Sequence, residues 1–152
     1  MYVLEDDVRL AFQQQAAFLD NFLSSIPESK ADYAYAEGKW TVKQLLQHII
    51  DAERIFTHRA LWFARRSPAP LSGFDENEYA DVADVSKRSV ASLADELRAV
   101  RKSSEFLFNS FTDKDLNTSG TTNTHAITVN ALGFVTLGHF LHHKRILEER
   151  YR

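Results

Sequence analysis

The sequence predicts an all-α protein folded as one four-helix bundle. Four segments repeat apolar residues at steps of three and four, as the buried stripe of a helix does. The prolines and most of the glycines fall between those segments, and no run alternates apolar and polar residues as a half-buried strand would. With 152 residues, 44% of them apolar and 26% charged, the chain has the size and makeup of a single domain covering residues 1–152. A chain of that length buries enough surface for one hydrophobic core.

The first segment runs from about Glu5 to Ile26. Val8, Phe12, Leu19, Phe22 and Ile26 share one stripe, with Gln15 in the remaining slot, and Pro27 stops the helix. The second opens at "WTVKQLL" with Thr41 as N-cap. Val42, Leu45, Leu46, Ile49, Phe56 and Phe63 follow at helical spacing, and the helix is predicted to end near Ser67, before "PAPLSG". A longer polar connection containing "GFDENEYADVADVS" comes next and is predicted to carry a short helical piece around Asp75–Ala80. Loops of that length in a compact domain are often functional. Leu93, Leu97, Val100, Ser104, Leu107 and Phe111 mark the third segment. The fourth begins near Thr128, after the turn-rich "LNTSGTTNTHA", and runs nearly to the end of the sequence. The other two connections read as short.

Composition excludes several functions. The formal charge is −3 with no basic block, so there is no electrostatic footprint for nucleic acid. No stretch approaches the roughly 20 apolar residues of a membrane span. "MYVLEDDVRL" has no basic region leading into an apolar run, so no signal peptide is expected and a cytoplasmic location is the default. The absence of cysteine removes disulfides, zinc ribbons and a cysteine nucleophile. Any metal site must be built from His, Asp and Glu.

The stretch "GHFLHHKR" in the fourth segment places three histidines within five positions. Advancing about 100° per residue from Leu132, the apolar Val129, Val135, Ile146 and Leu147 define a core face on which His139 falls at about −20° and His143 at about +20°. His142 falls at about −80°, on its edge. His139 and His143 stand at i and i+4, one above the other, where two imidazoles can share an ion at metal–nitrogen distances of about 2 Å. The alternative is a pair of packed histidines hydrogen-bonded to neighbours. That alternative weakens for two stacked rings, because each must satisfy both nitrogens and an unmet buried group costs about 1–3 kcal/mol. For a third ligand His48 leads: it lies roughly 90° from the centre of the apolar arc of the second helix, where side chains meet a neighbouring helix. His125, in the loop before the fourth helix, stands behind it, and His58 reads as surface.

Glu53 lies only about 50° from the centre of the same arc. A carboxylate there is either paired with a cation, with Arg150 on the core face of the fourth helix as a candidate, or has a proton-transfer role. Phe134, Leu137 and Leu141 cluster opposite the predicted core face, with Gly133 and Gly138 nearby, and suggest self-association as a homodimer. The acidic "FDENEY" reads as solvated.

Taken in order, "GKWTVKQLLQHIIDAERIF", "GFDENEYA" and "TVNALGFVTLGHFLHHKRILEE" resemble the DinB-like superfamily. The first is similar to a signature in which a Trp-Ser/Thr pair opens a helix carrying a histidine and then D-x-E. The last is similar to a signature with paired histidines near the C-terminus. The resemblance implies an up-down-down-up four-helix bundle holding a divalent metal on three histidines, which map onto His48, His139 and His143. Imidazole donors suit Zn or Ni as the ion, and the resemblance often implies a thiol-dependent transferase or isomerase using bacillithiol or mycothiol. Other members are hydrolase-like. A substrate-gating role for "GFDENEYA" also follows from it. A low-molecular-weight thiol and a small organic electrophile are then the expected partners, with Glu53 and His142 as candidates for proton transfer. The alternatives are a metal-dependent hydrolase, or a non-catalytic metal-stabilised module for partner binding or stress response.

Overall fold

A computed structural model describes residues 6–122 and 125–151. The expected helix start at Glu5 lies outside them. Four long helices form: α1 (Val8–Ser25), α2 (Val42–Ala64), α4 (Val90–Asn109) and α6 (Val129–Arg150), with the short α3 (Glu76–Val82) and α5 (Asp113–Leu116) between them. Each long helix starts on a side-chain cap. Asp7, Ser89 and Thr128 accept from backbone N–H groups of α1, α4 and α6, and Thr41 forms a reciprocal capping box with Gln44 on α2. The short piece in the long connection is α3, capped by Asp75.

Three details depart from the sequence reading. Helix α2 stops at Ala64 because Arg66 turns left-handed at φ 58°, its guanidinium donating to the Ala64 carbonyl and to Asp115. The connection from α1 to α2 is long and includes a 3₁₀ turn at Glu28–Lys30. The connection from α4 to α6 contains α5 and an antiparallel pair, β1 (Ser119–Thr122) with β2 (His125–Thr128), in which Gly120 faces Ile127. Small polar residues in β1 give no alternating signal. Its position is set instead by tertiary contact, since a Cβ at Gly120 would overlap the Phe63 ring.

Contacts between helices give their directions. On α1 and α4, Phe12 stacks on Phe108 and Asp20 pairs with Arg98, so these two run antiparallel. On α2 and α4, Lys43 reaches the Ser86 carbonyl ahead of α4 and Arg54 pairs with Glu96, so these run parallel. Tyr151, at the end of α6, donates to the carbonyl of Trp40 before α2, making those two antiparallel. The result is an up-down-down-up bundle in which α1 and α2 each pack against α4 and α6.

Two apolar clusters fill the bundle. One is built around Leu19, Leu46, Ile49, Leu93, Leu97 and Phe140, the other around Val8, Phe12, Phe63, Phe108, Val129 and Leu132. Between them lies a buried polar layer of Gln15, Glu53, Arg101 and Ser104. Arg101 donates to Glu53 through Nη2 at 2.9 Å and Nε at 3.1 Å, and to Gln15 Oε1 through Nη1. Ser104 donates to the second Glu53 oxygen at 2.8 Å. The partner of Glu53 is therefore Arg101 on α4. Arg150 is exposed and lies over the Tyr35 ring instead.

The buried residues of α6 are Val129, Leu132, Gly133, Thr136, Leu137, Phe140 and Leu147. Their arc is centred about 70° round the helix from the predicted core face. Val135, used to place that face, is 40% exposed, whereas Leu137 is buried. Phe134 and Leu141 pack against the two clusters. Gly133 lets Val8 and the Phe108 ring approach α6, the latter to 2.7 Å from where a Cβ would sit. The apolar face that suggested self-association is thus largely taken up within the chain.

Candidate metal centre

The cap at Thr41 puts His48 two turns into α2, and the cap at Thr128 puts His139 and His143 in the second half of α6. Because α2 and α6 run antiparallel, these turns lie side by side. The rotation of the α6 core face moves His139 and His143 off its middle and onto the flank that meets α2. His48 is buried and the other two are half-buried. All three present Nε2 to one point: His48 to His139 at 3.0 Å, His48 to His143 at 3.2 Å and His139 to His143 at 3.1 Å.

Three neutral imidazoles cannot satisfy such a triangle among themselves. Each ring carries one N–H, and rings that place it on Nδ1 aim three lone pairs at a common centre. A shared cation resolves this. Zinc–nitrogen bonds of about 2.0–2.1 Å make the edge of a tetrahedral site about 3.3 Å, close to the observed sides. His143 Nδ1 is buried without a hydrogen-bond partner among the described residues, so the Nε2 edge is that ring's one route to a polar partner. The donor set is all nitrogen, which suits zinc and nickel. The residues present fit a divalent ion.

Electrostatics favour the ligating form. Burial, reinforced by the neighbouring imidazoles, pushes His139 down to about 4 and His143 down to about 3. Burial also lowers His48, against the opposing pull of Glu76 and Asp51. All three are neutral at pH 7, so metal need not displace protons there. The metal-free protein is expected to lose stability on acidification. Below the ordinary histidine value of 6.5 the unfolded chain binds protons that the folded rings refuse until about 4 and 3, so stability falls through that window as pH drops. Denaturant midpoints of metal-free protein at pH 7.5 and 5 measure the drop. It should shrink in a His139→Ala/His143→Ala variant, and an equal drop in that variant would contradict the assignment.

Aromatic rings wall the triangle, Trp40 at 4.7 Å from His48 and Phe56 at 5.4 Å from His139 between ring centroids. Beside His143 a cavity of about 260 Å³ opens, bounded by Tyr35, Trp40 and Tyr151, with Lys39 and Asn77 as its polar groups. Glu76, the first residue of α3, brings Oε2 to 3.8 Å from His48 Nε2. The sequence reading placed Glu76 in the short helical piece of a solvated acidic segment and gave it no ligand role of its own.

The other candidates lie elsewhere. His142 is exposed, lines an outer groove with Phe18, Lys144 and Glu148, and sets its ring edge-on against His143 at 5.1 Å between centroids. His125 is exposed on β2, and His58 is exposed on α2 beside Trp62. Both oxygens of Glu53 are occupied by Arg101 and Ser104.

A family model for the DinB superfamily matches residues 11–147. No curated protein matches the chain. Among solved structures, YfiT from Bacillus subtilis, described as a probable metal-dependent hydrolase with an unusual four-helix bundle topology, aligns with a TM-score of 0.77 at 20% identity, over 98% of this chain and 87% of that one. A DinB-like protein from Bacillus subtilis, YjoA, aligns with a TM-score of 0.65 at 14% identity, over 92% and 85%. A mycothiol-dependent maleylpyruvate isomerase aligns with a TM-score of 0.64 at 15% identity, over 92% of this chain and 60% of that one. At these identities the likeness establishes the bundle fold. Among the described residues no helix is long and apolar enough to cross a membrane.

Proposed function

The chain belongs to the DinB superfamily, and from that premise we propose that it is a divalent-metal-dependent enzyme that activates a small thiol for transfer to a small organic electrophile. The observation that carries the reading is the Nε2 triangle of His48, His139 and His143, with sides of 3.0–3.2 Å, opening onto an aromatic cavity. Three protein ligands leave a coordination position for a reactant, as catalytic zinc sites do and structural ones do not. Zinc or nickel held there would supply the positive charge that lets a thiol ionise near neutral pH.

The chain's own residues supply the rest. Trp40 and Phe56 hold the imidazoles in an apolar setting, which keeps them neutral and strengthens their hold on a cation. Tyr35, Trp40 and Tyr151 present ring faces and edges to an apolar reactant, and Lys39 and Asn77 offer hydrogen bonds that would orient it. Glu53 positions helices through Arg101 and has no free oxygen with which to move a proton. A hydrolase is the second reading, favoured by the likeness to YfiT, since the same charge would act on water.

Thermal unfolding of tag-free protein with zinc or nickel and a panel of small thiols tests the proposal. A shift that requires metal and thiol together supports transfer. Stabilisation by metal alone, with no response to any thiol, would favour a metal-stabilised module without turnover or the hydrolase, and ester or amide cleavage by the loaded protein separates those two.

A further inference from the structure

We propose that Glu76 is a fourth, displaceable metal ligand, carried by the first turn of α3, which closes the site until a small anionic ligand such as a thiolate replaces it. The inference rests on the three-histidine reading and extends it to a residue outside both signature helices.

Geometry supplies the first argument. Glu76 Oε2 stands 3.8 Å from His48 Nε2, the nitrogen that also faces His139 and His143. Among the described residues the three histidine nitrogens form the compact ligand group without Glu76, so this oxygen stands at its rim beside His48, and the exposed side chain would turn inward to reach a shared ion. The side chain is carried by α3, which packs on α2.

Charge supplies the second. Among the described residues no Lys or Arg pairs with Glu76. Asp75 and Glu78 share its turn and add negative charge. A carboxylate so placed gains little from three neutral imidazoles, and gains much from a cation at their focus.

Support from the loop supplies the third. The Asp75 side chain accepts from Asn77 and Glu78 N–H, which sets the direction of the turn. Phe74 stacks edge-on against Tyr79 at 5.2 Å, and Arg59 on α2 donates to the Ser72 carbonyl while lying over the Phe74 ring. The loop is therefore fastened to α2 just ahead of Glu76. The Glu76 side chain itself is 56% exposed. Glu53, locked at 3% exposure by Arg101, shows the opposite design. An exposed side chain can bind and swing away, and Asn77, its neighbour on the same turn, lines the cavity.

Cobalt(II) reports the coordination directly. Wild-type and Glu76→Gln proteins are loaded with Co²⁺, their visible d–d spectra are recorded, and Kd is measured by competition with a chelating dye. The variant is expected to bind Co²⁺ at least about tenfold more weakly, the lower end of what loss of an outer-shell partner costs, and to show a changed d–d spectrum. Added 2-mercaptoethanol should produce a thiolate–cobalt charge-transfer band at lower thiol concentration in Glu76→Gln than in wild type, because no carboxylate competes. Unchanged affinity and spectrum would overturn the proposal. Weaker binding with an unchanged spectrum would overturn it too, reducing Glu76 to a distant charge. If wild type itself holds no Co²⁺, the three-histidine reading fails first. Binding lost in His139→Ala but unaltered in Glu76→Gln would sink the Glu76 assignment alone.

Discussion

Arg101→Met is expected to destabilise the protein by about 3–5 kcal/mol, the range for removing one partner of a buried ion pair. Such a loss is a large part of the roughly 5–15 kcal/mol by which domains are stable. The reason lies in what the substitution leaves behind. Glu53 is 2% exposed and takes three of its contacts from Arg101, so without the guanidinium it retains one hydroxyl, that of Ser104. Gln15 loses the donor to its carbonyl oxygen, and the Phe12 and Phe140 rings lose the cation lying 5.6 and 5.3 Å from their centres. Urea denaturation measures the effect. Adding Glu53→Leu to Arg101→Met should restore much of the loss, because replacing both partners by apolar groups removes the stranded charge. The metal stoichiometry of the single variant should stay at the wild-type value. A Glu53→Gln protein with normal stability but no turnover would instead give Glu53 a proton-transfer role.

His139→Ala is expected to abolish stoichiometric binding of zinc or nickel. Two remaining imidazoles lose more affinity than the roughly 10–100-fold that follows loss of an outer-shell partner. The metal-dependent gain in stability should vanish with it. At a free metal concentration of about 100 Kd that gain is about 2.7 kcal/mol for wild type. The metal-free variant should fold normally, since His139 is half-buried on the α2 flank of α6 and its removal leaves the buried stripe from Val129 to Leu147 intact. Metal analysis on tag-free protein checks both statements. Undiminished stoichiometry in the variant would end the site assignment.

How much of this was legible in the sequence differs by element. The four long helices were, because an apolar residue every three or four positions is a property of one segment and needs no knowledge of its neighbours. Thr41 and Thr128 were legible as helix starts for the same reason, each cap being satisfied by N–H groups within three residues. Histidines at i and i+4 on α6 were legible as a pair, since helical geometry alone stacks them. The β1–β2 pair was not. "SGTT" carries no apolar alternation, and its place depends on how closely Gly120 meets Phe63 from another helix.

The sequence by itself determined the helical periods, the caps, the excluded chemistries and the spacing that lets His139 and His143 act together. Only the tertiary structure decided the azimuth of α6, which turned Leu137 inward and Val135 outward, and chose Arg101 over Arg150 as the partner of Glu53. It also brought Glu76 from a polar loop to 3.8 Å from His48. The physical reason is one of range. Backbone hydrogen bonding and side-chain period act within a few residues, whereas the face a helix buries, and the ion pair or ligand set it completes, depend on which surfaces of distant segments fill the remaining space.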